Sequence, residues 1–92
     1  MKKYSNIEIQ AAMKTLNNWI LYEDKIKKQF QFKDFSEALA FILRIGVLAE
    51  KQNHHPELHN VYNKVTIELT THDAGGLSDK DFLLARSIDA IS

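Results

Sequence analysis

Four histidines carry most of the chemistry this chain of 92 residues could offer: His54, His55, His59 and His72. His54 and His55 are adjacent and stand directly before Pro56, the only proline. Imidazole titrates near pH ~6.5, so it can ligate a metal, move a proton, or place positive charge at a helix end. The chain has no cysteine, which excludes disulfides, thiolate metal sites and a cysteine nucleophile. The zinc-helix pattern His-Glu-x-x-His is absent, and Pro56 interrupts the segment between His55 and His59. Glu50 precedes His54 by one helical turn, so its carboxylate is expected to orient that imidazole. Asp73 follows His72 directly. There is no nucleophile elbow, and Gly75-Gly76 lacks the lysine of a phosphate loop. What remains is proton transfer without a covalent intermediate, suited to elimination of water or to an isomerisation.

The elements that must position these groups are legible from caps and periodicity. Ser5 with Glu8 forms a capping-box pattern, and Ile9, Ala12, Met13 and Leu16 share one helical face up to Asn17-Asn18. Asp34 with Glu37 marks a second start, followed by Phe35, Ala38, Leu39, Ile42, Leu43, Ile45 and Leu48. That apolar surface is wider than one stripe, so the helix is expected either to lie deep in the core or to bury two faces, one of them against a partner. Pro56 disfavours helical geometry at His55, which ends this helix near Asn53 or His54. Ser78 with Asp81 caps a third helix, with Leu77 and Phe82 as a hydrophobic staple and Leu84, Ile88 and Ile91 continuing the face.

Strands fill the gaps. Trp19–Tyr22, a Glu23-Asp24 turn and Ile26–Phe32 read as a hairpin in which Lys28 breaks the apolar parity. Lys25, Lys27 and Lys28 read as a solvated strand. Val61 to Thr71 reads as one alternating strand: Val65, Ile67 and Leu69 face one way, Tyr62, Lys64, Thr66, Glu68 and Thr70 the other. By parity His72 joins the polar face at the end of that strand. A long helix packed on the apolar face would bring His54 and His55 over the sheet edge near His72. The element order predicts an α+β domain spanning 1–92, with helices on one face of an antiparallel sheet. Three strands are clear from pattern.

Composition sets the outer bounds. Hydrophobic residues make up 45% and charged residues 26%, the balance of a globular protein rather than a disordered one. Lys+Arg and Asp+Glu are equal at 12 each, which does not suit affinity built on neutralising many phosphates, so no direct nucleic-acid contact is expected. The apolar run Ala38–Leu43 is too short to span a bilayer, and the N-terminus lacks the apolar run of a signal peptide. A cytoplasmic protein without membrane contact is expected.

The stretches "FKDF" (32–35), "AEKQNHHPE" (49–57), "NVYNKV" (60–65) and "TTHDAGGLSDKD" (70–81), together with Trp19, resemble the pterin-4a-carbinolamine dehydratases. The likeness spans nearly the whole chain. It implies a four-stranded antiparallel sheet with three helices, in the order helix-strand-strand-helix-strand-strand-helix. It implies dehydration of 4a-hydroxytetrahydropterin to quinonoid dihydropterin, which recycles the cofactor of aromatic amino-acid hydroxylases. It implies no metal and no cofactor, the pterin being the substrate. His54, His55 and His72 match the family's catalytic histidines, and Glu50 the acid beside them. His54, His55 and Pro56, with Thr71, His72, Asp73 and Ala74, match its pterin-contacting segments. A homodimer through sheet edges or a homotetramer through the long helix is implied. The alternative is an interaction module, a dimerisation coactivator of a transcription factor working through that helix. Leu58 stands where several members carry Trp, and Thr66 where some carry a further His, which affects pocket packing.

Overall fold

A computed structural model describes residues 2–92. Three helices and four strands follow in the order α1 (Asn6–Met13), β1 (Ile20–Tyr22), β2 (Lys25–Gln31), α2 (Phe35–Gln52), β3 (Glu57–Val61), β4 (Lys64–Leu69) and α3 (Asp79–Ile91). The strands form one antiparallel sheet in the spatial order β1-β2-β4-β3. The fold is α+β, as the element order implies.

Period-two patterning decides which face of the sheet is covered. Ile26 and Phe30 of β2 and Val65, Ile67 and Leu69 of β4 are buried. They meet Ala38, Phe41 and Ile45 of α2 and Phe82, Leu84, Ala85 and Ile88 of α3 in one core. The opposite face carries Lys25, Lys27, Thr66 and Glu68 and, among the described residues, has no helix over it, the half-solvated arrangement that antiparallel sheets tolerate.

The caps act as their residue types require. Ser5 accepts from the Glu8 amide while Glu8 accepts from the Ser5 amide at 2.8 Å. Asp34 Oδ1 accepts from the Glu37 amide at 2.9 Å. At the far end of α2, Asn53 takes the left-handed conformation (φ 49°), and the His54 amide donates back to the Ala49 carbonyl at 3.0 Å. Asparagine tolerates this conformation better than most residues, so Asn53 ends the helix and turns the next two side chains off its axis.

Three expectations need correction. The first helix ends at Met13, and Leu16 is buried in the turns that follow it rather than on a helical face. The segment from Val61 to Thr71 is not one strand. It turns at Tyr62-Asn63, with Tyr62 at φ 51°, and the preceding residues Glu57–Val61 form a separate edge strand. Its side chains are mostly exposed, so it lacks the apolar alternation that reveals a strand in sequence. Lys28 is not solvated. It points to the helix side of the sheet, where its Nζ donates to Asp89 Oδ1 at 2.8 Å. The Trp19 indole N–H donates to the same carboxylate, at 3.0 Å to Oδ2. A largely desolvated amine needs such a partner, and this one clamps the β1–β2 hairpin onto α3.

Candidate active site

The end of α2, the exit of β4 and the start of α3 converge on one buried carboxylate. Asp81, the third residue of α3, is fully inaccessible to solvent. Its Oδ2 accepts from the Ser78 amide at 3.0 Å, which completes the capping box, and from Thr71 Oγ1 at 2.8 Å. Its Oδ1 lies 2.6 Å from His54 Nε2. Thr71 spends its one hydroxyl proton on Asp81, so the 2.7 Å contact between Thr71 and Ser78 has Ser78 as donor. Both carboxylate oxygens of Asp81 and both hydroxyls are thus hydrogen-bonded within the knot.

His55, the next residue, stands differently. Its ring is 59% exposed, and its Nε2 lies 2.5 Å from Glu50 Oε2. The sequence assigned Glu50 to His54 by helical spacing. The left-handed turn at Asn53 instead rotates His54 inward to Asp81 and leaves His55 to meet Glu50.

His72 does not end a strand. β4 stops at Leu69, and Thr71 pairs with Gly76 across a closed loop whose middle, His72–Ala74, is a single 3-10 turn. The Gly75 amide donates to the His72 carbonyl at 3.0 Å, and Gly75 closes the turn at φ 76°, where other residues are strained. The loop holds the exposed His72 ring at the rim of the site.

Between these groups lies a cleft of about 370 Å³. One wall is Asn53, His54 and His55; the other is Thr70, Thr71, His72 and Asp73, with Lys80 at the side. Of the residues singled out from sequence, the structure brings together His54, His55, Thr71, His72 and Asp73. Glu50 reaches the cleft only through His55. Pro56 and Ala74 flank the walls without lining it, and His59 lies on the open face of the sheet, opposite Thr66. Asp81 was legible only as a helix cap, because nothing in a capping box announces a histidine partner 27 residues upstream. Lys80 carried no signal.

Beside the cleft, Lys25 Nζ bridges Glu57 Oε2 at 2.6 Å and Glu68 Oε1 at 3.4 Å across three strands. The Lys25 ammonium holds the Glu57 carboxyl below its ordinary value of 4.5, first through the hydrogen bond and then through charge, with a smaller contribution from His72. Glu57 in turn raises Lys25.

The cleft is small and polar, and two of the three imidazoles that line it, those of His55 and His72, are exposed groups able to give and take protons. The model of the family described as pterin 4 alpha carbinolamine dehydratase matches residues 2–91. The chain is 56% identical over 84 residues to a protein of Synechococcus sp. (strain WH7803) that is provisionally named pterin-4-alpha-carbinolamine dehydratase, covering 91% of this chain and 90% of that one. A protein of Solibacter usitatus (strain Ellin6076) with the same provisional name is 46% identical, covering 98% and 95%. Among solved structures, a transcriptional coactivator/pterin dehydratase from Brucella melitensis superposes with a TM-score of 0.94 at 36% identity, over 98% of each chain. The chain belongs to the pterin-4-alpha-carbinolamine dehydratase family, a family of hydro-lyases.

The lowered Glu57 gives a pH prediction. A carboxylate whose folded value lies below its unfolded one stabilises the fold above the unfolded value and loses that contribution as pH falls through the folded one. Carboxyl titration by NMR should show Glu57 below the ordinary glutamate range, returning toward it in Lys25→Met. An unchanged Glu57 midpoint in that variant would refute the Lys25 assignment.

Proposed function

We propose that the chain dehydrates a 4a-hydroxytetrahydropterin to the quinonoid dihydropterin by histidine acid–base catalysis, recycling the tetrahydropterin cofactor of aromatic amino-acid hydroxylases. The cysteine-free composition suits action in the cytoplasm. One observation carries the reading: His55 and His72 are exposed and line the same cleft from two separate segments of the chain, the end of α2 and the exit of β4. Family membership supplies the substrate class.

The reaction breaks the C4a–O bond. One imidazole gives a proton to the leaving hydroxyl, and the other takes the proton from N5. The N5 electron pair forms the C4a=N5 bond, and water departs. Atoms and charge balance without a further reactant. Glu50, bonded to His55 Nε2, fixes that ring and leaves Nδ1 as its free nitrogen. His54 lines the wall with its Nε2 committed to Asp81, which makes its side chain a support for the site as well as a contact surface. The backbone around Thr71 and Asp73 would hold the polar edge of the pterin.

Each positioned acid or base typically contributes 10²–10⁴-fold. His55→Ala and His72→Ala should each lower kcat by about that factor, with circular dichroism and thermal midpoint close to wild type, because both rings are exposed. Wild-type rates of carbinolamine loss in both variants would overturn the mechanism.

A second reading rests on α2. Phe35, Leu39, Leu43 and Val47 recur every four residues and are between 46% and 72% exposed. An unpartnered stripe of this kind marks an association surface. We assign it to self-association, as a homotetramer through α2. The alternative is a coactivator-like module that presents the same stripe to another protein; the Brucella melitensis structure bears both descriptions in its name. Sedimentation across a range of concentrations should show an oligomer that Leu43→Glu dissociates. A chain that stays monomeric would reverse the assignment in favour of the partner.

A further inference from the structure

Two residues ahead of α1 lie against the loop that presents His72. The Tyr4 amide donates to the Leu77 carbonyl at 2.7 Å. The Tyr4 ring stacks on Phe82, with centroids 5.4 Å apart and planes inclined by 11°. The stem of Lys3 crosses Gly76: a methyl group built there would stand 2.9 Å from Lys3 Cε. We propose that Lys3 and Tyr4 form a strap across the base of the Thr71–Gly76 loop, and that Tyr4 is a positioning residue for His72 in the dehydration. The inference rests on the dehydratase reading and goes beyond it by adding a residue that does not line the cleft.

The loop fixes its own shape but not its place. Thr71 and Gly76 exchange backbone hydrogen bonds at 3.0 and 3.3 Å, and the Ala74 amide donates to the Thr71 carbonyl at 3.1 Å. All of these bonds are internal to the loop. His72 and Asp73 at its tip are exposed, so the tip has little packing of its own and the base decides where the imidazole stands. One side of the base is tied down by the Thr71 hydroxyl, through Ser78 and Asp81. The other side is Gly76-Leu77, which the strap covers.

Three features make the strap specific. Leu77 is buried, and the carbonyl of a buried residue needs a donor, which Tyr4 supplies. Tyr4 directly precedes Ser5, the N-cap of α1, and Leu77 directly precedes Ser78, the N-cap of α3. Their hydrogen bond therefore locks the two helix starts together, and the stack on Phe82 does so a second time. At Gly76 the lysine stem occupies the space a side chain would need, so its methylenes cover the Thr71–Gly76 bridge. The other role open to an apolar residue before an N-cap is a staple that serves its own helix alone.

The test measures kcat and KM for carbinolamine loss in wild type, Tyr4→Phe and Tyr4→Ala, and repeats Tyr4→Ala in a His72→Ala background. Tyr4→Phe keeps the ring and should match wild type. Tyr4→Ala should lower kcat roughly tenfold with KM changed by less than about twofold, because a displaced loop costs rate more than binding. Amide exchange at Thr71 and Gly76 should quicken in the same variant. With His72 already removed, Tyr4→Ala should cost little more, since the group it places is gone. Wild-type kcat in Tyr4→Ala, or the same loss in both backgrounds, would overturn the proposal; the latter result would leave Tyr4 serving the fold alone. If Tyr4→Ala does not fold, Tyr4→Leu, which keeps the bulk without the stack, is read by the same criteria. A wild type unable to consume the carbinolamine would overturn the dehydratase reading instead. Exchange would still report the strap, and unchanged protection of Thr71 and Gly76 in Tyr4→Ala would overturn it.

Discussion

The site depends on the bonding of one buried carboxylate. Leaving an aspartate without solvent is costly unless donors replace the lost water, and Asp81 has three: the Ser78 amide, the Thr71 hydroxyl and the His54 ring. Each donor belongs to a different structural element. Ser78 starts α3, Thr71 follows β4, and His54 follows α2. The two walls of the histidine cleft are the residues next to two of these donors, His55 on one side and His72 on the other. The groups proposed to move protons therefore project from backbone that the knot immobilises, while they themselves remain open to solvent and substrate.

This division of labour also explains why two adjacent histidines differ so much. A left-handed residue at Asn53 breaks the helical register, so His54 turns into the protein and His55 away from it. Within three residues the chain thus yields a support for the wall and an exposed ring held by Glu50. A second, partly buried polar node, Lys28 with Asp89 and Trp19, does for the β1–β2 hairpin what Asp81 does for the cleft. It holds the β1–β2 hairpin against α3.

Much of this was legible in the sequence. The three capping patterns located helix starts because a cap is a local bargain between a side chain and amides three residues away. His54, His55 and His72 stood out by type and adjacency, the resemblance to the dehydratase family implied that they share one site, and all three line one cleft. What stayed hidden required knowing which way the chain turns. The partner of Glu50 depended on the backbone angle at Asn53. The edge strand Glu57–Val61 was invisible because an exposed edge needs no apolar alternation. Lys28 and Asp81 looked like a surface lysine and a helix cap because their partners lie 61 and 27 residues away in the chain.

The most direct test of the account is the kcat of Asp81→Asn for carbinolamine loss, measured where circular dichroism shows the variant folded. With its carbonyl in the place of Oδ2 an amide can still accept from the Ser78 amide and the Thr71 hydroxyl, but its NH2 group then faces His54 Nε2, which loses its acceptor. The cleft walls should then lose their fixed spacing, and small misplacements of reacting groups are expensive in rate. The account predicts a fall in kcat of roughly tenfold or more despite an intact fold. A folded Asp81→Asn with wild-type kcat would contradict it.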